Sequence, residues 1–345
     1  MNLIQKSILS TIVYYNTLDY PLTSFEVFKY LVNPLHVAGF YAQCVSEKVE
    51  IDRFSKITLS NIIKSLESKE LKKFISEKNG FYFLRGRGKI IKIRISRQKI
   101  ADQKWKKAKK IIRWLQIIPY LRMVAVSGSL ALNNTRKKSD FDLFIVVKNR
   151  RIWLTRFLIT LFVQLMGKRR HKEFTEDRIC LNHYVTDKSL EIKFRSLYNA
   201  QTYAHMIPIL GIKHACLPER QEIYEKFQKA NRWIKDYLVF WPKQKIEHLK
   251  VLKVSSLLRS IAKISEVCLN NRFGDFLEKI LKKLQNHSIE KNPLTHKKGG
   301  RVTVDDTQLE FHPDSPEKEI LKKYNRTIKN LGFVKLSKEK DSGLL

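Results

Sequence analysis

A chain of 345 residues, 43% hydrophobic and 11% aromatic, excludes wholesale disorder and is long enough for two or three cored domains. Its 67 Lys and Arg against 33 Asp and Glu leave a formal net charge of +34. That field favours nucleic acid, nucleotides or an acidic surface as partner; a lysine-rich composition with no special partner is the plain alternative. The cysteines Cys44, Cys180, Cys216 and Cys268 are scattered without a CxxC pair, which suggests neither a zinc ribbon nor a disulfide framework and predicts reduced thiols in a cytoplasm.

In chain order, "MNLIQKSILSTIVYYN" has too many polar interruptions for a signal peptide, and residues 3–15 read as an amphipathic helix. Thr23 and Glu26 have capping-box spacing, so a second helix is predicted from Ser24. "TLSNIIKSLESKEL" gives a third, with Leu59, Ile62, Ile63 and Leu66 on one stripe. Asn79-Gly80, flanked by Phe74, Ile75 and the Phe81–Leu84 run, predicts a β-hairpin. Three helices followed by a hairpin resemble the winged helix-turn-helix domains of DNA-binding regulators, or a module of that shape used for protein docking. Residues 89–116 read as a helix with an apolar stripe including Trp105, Ala108, Ile112 and Leu115. Its other face carries a run of Lys and Arg against the single acid Asp102. That face is either solvated or contacts a phosphate backbone.

The β-branched runs at Val124–Ser127 and Phe141–Val147 predict buried neighbouring strands, and "ICLNHYVT", Ile179–Thr186, predicts a third. The apolar window Ile152–Met166 lies between the second and third. It is shorter than a membrane span and contains Arg156, so it is predicted as a buried helix, with no membrane partner. From Leu197 the pattern turns helical. A short hairpin is predicted around "RVTVDDTQLEF" and a last helix in "SPEKEILKKYNRTIKNL". The expected division is a winged-helix-like domain (1–86), a basic bridging helix (87–118), a small mixed-sheet α/β domain (119–196), a helical region (197–292), and a short β element, helix and frayed tail (293–345). The fold class is α/β of the α+β kind.

Asp140 and Asp142 straddle Phe141, so on a strand both carboxylates share one face while Phe141 and Leu143 face the packing. Two like charges so placed raise each other's pKa unless a cation sits between them. Oxygen ligands facing one cavity suit Mg²⁺ with phosphate oxygens. With ten residues between Ser129 and Asp140, Gly128-Ser129 ends a strand; a glycine there lets backbone approach a phosphate closely. Arg136, Lys137 and Lys138, in the connection, are expected to neutralise charge.

"SGSLALNNTRKKSDFDLFIV" resembles the nucleotidyltransferase superfamily typified by DNA polymerase β, whose signature is hydrophobic-Gly-[Gly/Ser], a spacer, then Asp-hydrophobic-[Asp/Glu]-hydrophobic. The resemblance implies that Gly128 and Ser129 hold a nucleoside triphosphate and that Asp140 and Asp142 hold Mg²⁺. The implied reaction is in-line attack of an acceptor hydroxyl on the α-phosphorus, with pyrophosphate leaving. The superfamily usually adds a third acid from a neighbouring strand, and "ICLNHYVT" has none. Strict alternation puts Cys180, Asn182 and Tyr184 on one face, which makes Asn182 the positional metal candidate; Asp187 and Glu191 lie just beyond. Three readings stay open: a two-carboxylate site, a third acid from elsewhere, or a degenerate domain that senses a nucleotide within a non-catalytic, nucleic-acid-binding regulator. Nucleic acid, if bound, is expected through residues 1–113. His312, near Asp314 in a loop, reads as surface decoration, and Trp105, Trp114 and Trp233 as core anchors.

Overall fold

The computed structural model describes residues 1–39, 57–171, 174–211, 221–241, 250–298 and 300–332. Cys44, Cys216, Pro242 and the tail from residue 333 fall outside them. Helix α1 (Leu3–Asn16) starts at a capping box in which Asn2 and Gln5 exchange hydrogen bonds. Strand β1 (Leu22–Thr23) leads into α2 (Ser24–Lys29), capped by the expected Thr23–Glu26 box. Helices α3 (Pro34–Gly39), α4 (Leu59–Leu66) and α5 (Lys69–Lys72) precede the hairpin of β2 (Ile75–Lys78) and β3 (Phe81–Leu84). At its tip Asn79 (φ 58°) and Gly80 (φ 75°) both take positive φ, as a two-residue hairpin turn demands. The three strands form one antiparallel sheet in the order β1-β3-β2.

Helix α6 (Ile90–Ile112) buries Ala101, Trp105, Ala108, Ile111 and Ile112, the expected stripe. Its basic face is less free than the sequence implies. Arg94 is ion-paired with Glu26 of α2 at 2.8 Å, buried Lys104 reaches Asp177 at 2.7 Å, and Lys107 also pairs with Asp177. Lys92, Lys99, Lys106 and Lys110 remain exposed. Trp105 and Trp233 are buried, but Trp114, in the 3-10 turn after α6, is 45% exposed and anchors nothing.

The core sheet contains β4 (Leu121–Val126), β5 (Phe141–Val147), β6 (Ile179–Thr186), β7 (Ile207–Leu210), β8 (Arg301–Val304) and β9 (Gln308–His312), in the order β7-β4-β5-β6-β9-β8. Between β4 and β5 lies the one-turn helix α7 (Gly128–Ala131), and α8 (Ile152–Leu165) crosses over to β6. Strands β5 and β6 are parallel and the other pairs antiparallel. The fold is mixed α/β, with a sheet and helical surroundings consistent with a nucleotidyltransferase core.

The sheet runs beyond the 119–196 span. Residues 207–210, expected in a helical region, form the edge strand β7. Ile207 and Ile209 favour a strand, and Pro208, which cannot donate to a ladder, is tolerated at an edge. The hairpin β8–β9, expected as a separate element, joins the sheet through β9 against β6.

Alternation along β5 sorts the core. Phe141, Leu143, Ile145 and Val147 pack with Ile152, Trp153, Ile159 and Val163 of α8 on one face. Phe144 and Val146 pack on the other with α9 (Leu197–His205), α10 (Gln221–Ala230) and α1. Helices α11 (Ser256–Leu269) and α12 (Arg272–Glu290) are separated by Asn270 and the N-cap Asn271. The last helix, α13 (Glu317–Asn330), returns to α1, where Tyr324 packs edge-on to Tyr14 and its hydroxyl meets that of Ser10. No helix among the described residues is long and apolar enough to cross a membrane.

Candidate active site

Backbone pairing builds the site. Beyond Val126 the Ser127 amide still donates to the Asp142 carbonyl at 3.0 Å, so β4 and β5 stay locked at the point where the chain leaves into α7. Gly128 has φ +64°, and a Cβ there would lie 3.2 Å from Asp142 Cγ and inside contact distance of its Oδ2. Both the backbone conformation and the approach of the carboxylate require glycine. The Asn134 amide closes the turn onto the Ser129 carbonyl at 2.9 Å. From outside, Trp105 Nε1 donates to Asn133 at 2.9 Å and Arg97 donates to Asn134 at 3.0 Å.

Asp140 immediately precedes β5 and Asp142 lies within it, with buried Phe141 turned to the opposite face. A carboxylate oxygen of each and Cys180 Sγ lie within 4.8 Å of one another. Burial and then the neighbouring Asp140 charge push Asp142 up to about 7, against the opposing pull of Arg170 and a hydrogen bond from Asn182. Arg170 Nη1 is 2.8 Å from Asp140 and donates to Cys180 Sγ at 3.3 Å. Burial, followed by the two aspartates, pushes the Cys180 thiol up to about 12, so it remains a neutral thiol.

Opposite the aspartates the ladder is irregular. Asp142 pairs with Cys180, but Phe144 pairs with His183, so β6 carries one extra residue. Strict alternation therefore fails. His183 lies on the aspartate side, stacked edge-on to Phe144, while Tyr184 turns into the opposite core. Asn182 still reaches the site, its Nδ2 donating to Asp142 Oδ1 at 3.2 Å.

Neither further acid joins it. Asp187 accepts the Asn149 amide at 2.9 Å beyond the far end of β6, and Glu191 pairs with Arg195 at 2.5 Å on the surface. Among the described residues the site thus has two carboxylates, with an amide beside them.

Asp142 opens into a cavity of about 840 Å³. Ser127, Gly128 and Ser129 line it, as do Tyr15 and Leu18 of the N-terminal module. Its cations are Arg156, Arg169, Arg170 and Arg301; Arg136, Lys137 and Lys138 are instead exposed and outside the lining. On another wall His183, Glu310 and His312 bring ligand-type atoms within 4.8 Å of one another. Arg301 Nε already lies 2.7 Å from Glu310, and burial pushes both imidazoles down to about 3, leaving them neutral. Glu310 thus has its counter-charge, and the cluster reads as a buried polar network. His312, expected on the surface, touches Asn182 at 3.5 Å within it.

Of the residues singled out in the sequence, the structure brings Gly128, Asp140, Asp142 and Asn182 together, with Ser129 on the wall of the same cavity. Sequence reasoning missed Arg170 and Cys180 as neighbours of the carboxylates, although the Arg169-Arg170 pair just before an apolar strand was a visible signal. No curated protein and no solved structure matches the chain. A family model described as a nucleotidyltransferase domain matches residues 105–264, so this stretch, which contains every one of those five residues, is similar to nucleotidyltransferase domains.

Proposed function

We propose that the protein is a Mg²⁺-dependent nucleotidyltransferase that moves a nucleoside monophosphate from a nucleoside triphosphate to a hydroxyl acceptor. The similarity of residues 105–264 to a nucleotidyltransferase domain supports nucleotidyl transfer as the general activity. The observation that carries the finer reading is the carboxylate pair, two aspartates with oxygens within 4.8 Å of each other and an ion pair at Asp140 alone. Asp142, held against Asp140 and against the Gly128 backbone, has its pKa raised to about 7, and its environment calls for a cation facing the cavity.

In this reading Asp140 and Asp142 hold Mg²⁺, with Asn182 contributing its amide oxygen after rotation; an amide ligates but cannot act as a base. Bound there, Mg²⁺ supplies charge neutralisation for the attacking and leaving oxygens. Gly128 and Ser129 hold the triphosphate. Arg170 balances Asp140 in the absence of metal. The domain division set out above belongs to the same proposal. Residues 1–86 act as a winged helix, and residues 1–113 supply a nucleic-acid contact, in a cytoplasmic protein. The order of helices and hairpin and the exposed lysines of α6 support this contact.

The test is a melting series with Mg²⁺, with nucleoside triphosphate, and with both. A ligand that binds only the folded state adds about 2.7 kcal/mol at a hundredfold excess over Kd. The melting temperature is expected to rise with both together and much less with either alone. Transfer of α-labelled nucleotide to a cell extract is expected to be abolished by EDTA. Mg²⁺-dependent stabilisation without transfer identifies a nucleotide-sensing domain; absence of both refutes the proposal.

A further inference from the structure

The cavity is not confined to the aspartate face of the sheet. Strand β9 pairs with β6 over His183–Val185, and residues 168–170 bond to Ile179. The edge at Cys180–Asn182 lies between these two pairings, and the cavity continues round it. On the far side it is lined by Arg156 and Thr160 of α8, by Arg169, and by Ser288 near the end of α12. Helix α8 belongs to the core on the sheet face opposite Asp142 and Phe144, so this lobe is separated from the carboxylates by the strand itself.

The lobe has a charge problem. Arg301 has Glu310 and Glu317 as counter-ions, and Arg170 has Asp140. Asp314, the other acid lining the cavity, is paired with Lys297. Among the described residues no carboxylate lies within ion-pair distance of Arg156 or Arg169. The Arg156 guanidinium stacks 5.0 Å from the Phe311 ring, and Nη1 donates to the neutral Gln285 at 2.5 Å. Its buried Nε has no hydrogen-bond partner. A guanidinium carries five donors, and burying its charge without a counter-ion costs free energy that a ligand anion recovers. Burial and then Arg169 push the Arg156 pKa down, with the Tyr184 hydroxyl opposing, as expected of a cation short of negative charge.

We propose that Arg156 and Arg169 form a phosphate-binding subsite that holds a phosphate group of the substrate on the opposite side of β6 from Asp140 and Asp142. Two guanidinium groups with the Thr160 and Ser288 hydroxyls nearby match a tetrahedral dianion better than a planar carboxylate. That the phosphate belongs to a substrate rests on the nucleotidyl-transfer reading; the anion site does not. Its source is either the triphosphate or a phosphate carried by the acceptor.

The test is calorimetric titration of inorganic phosphate into the full-length protein, without divalent metal and at roughly physiological ionic strength. Binding is expected, weakened about tenfold in Arg156→Gln and in Arg169→Gln, as for the loss of a charge-assisted hydrogen bond. It is expected to be unchanged in a Lys318→Gln, Lys322→Gln, Lys329→Gln control, which removes exposed charge from α13. Arg169 lies in a loop, so its variant reports even if Arg156→Gln unfolds. Failure of the native protein to bind phosphate, or equal binding by the Arg169→Gln variant, overturns the subsite. Repeating the titration with the four Mg²⁺-nucleoside triphosphates present separates the sources: retained phosphate binding assigns the site to the acceptor, competition assigns it to the triphosphate. Phosphate binding by a native protein that never binds Mg²⁺-nucleotide keeps the subsite and refutes the transferase reading.

Discussion

Gly128 and Asp142 are the most tightly constrained pair in the site. A Gly128→Ala variant must relieve a positive φ and an overlap with a carboxylate, strain worth about 1–3 kcal/mol. It is expected to lower the melting temperature and to abolish the joint effect of Mg²⁺ and nucleotide. A variant that melts like the native protein and still responds to Mg²⁺-nucleotide contradicts the pairing. Asp142 gives a pH signature. Its pKa is about 7 in the folded protein against an ordinary 3.8, so the folded state holds the proton more tightly than the unfolded chain. The stability it contributes is complete below about pH 4 and is lost as pH rises toward about 7. In metal-free buffer the melting temperature should fall across that window, and Asp142→Asn, permanently neutral, should flatten the fall. An equally steep fall in the variant assigns it to other groups. At this scale the sequence was most legible for Gly128, Ser129, Asp140 and Asp142, because their geometry depends on a short connection and on alternation within one strand. Arg170 was not, because its loop meets Asp140 through a β6 pairing that no local pattern encodes.

Among the elements, β6 shows where pattern reading breaks. "ICLNHYVT" is recognisably a strand, but period-two assignment fails past one extra residue, and the bulge sends His183 and Tyr184 to the faces opposite those expected. Strand β7 was hidden because Leu197–Leu210 contains both a helix and an edge strand, separated only by Met206. Helix α6 was read correctly as a helix, but its charges divide by their neighbours: Arg94 and Lys104 are fastened to acids of other elements, whereas Lys99, Lys106 and Lys110 face solvent. If that face contacts nucleic acid, replacing those three with Gln should lower the slope of log K against log salt by about 0.9 for each lost duplex phosphate contact. Fluorescence anisotropy on a DNA duplex across a salt series measures it, and an unchanged slope identifies a solvated face.

In the whole molecule, the N-terminal helices and the core sheet share one hydrophobic cluster that joins Leu9, Ile12 and Val13 to Phe144, Val146 and Tyr203. Hydrogen bonds from Tyr15 to Gln201 (2.6 Å) and from the Asn33 amide to Tyr237 (2.7 Å) cross the same boundary. These modules should therefore melt together. Phe144→Ala is expected to cost about 3–5 kcal/mol and to shift near- and far-ultraviolet melting curves in parallel; a variant whose two curves separate would falsify a common core. The packing of α13 on α1 has a further consequence, for biosynthesis. Tyr324 completes the burial of Tyr14, and β9 completes the flank of β6, so residues near the end of the chain finish structures begun near its start. In an emerging polypeptide α3 and α4 can cover part of α1, and α8 one face of β5, but Tyr14 lacks Tyr324 and β6 lacks its β9 flank until those residues clear the ribosomal tunnel. Folding during translation is therefore expected to stop short of the native core. Arrested nascent chains truncated before β9 should be cleaved by protease faster than chains in which α13 is free, and equal resistance would show that these late contacts add nothing to the core.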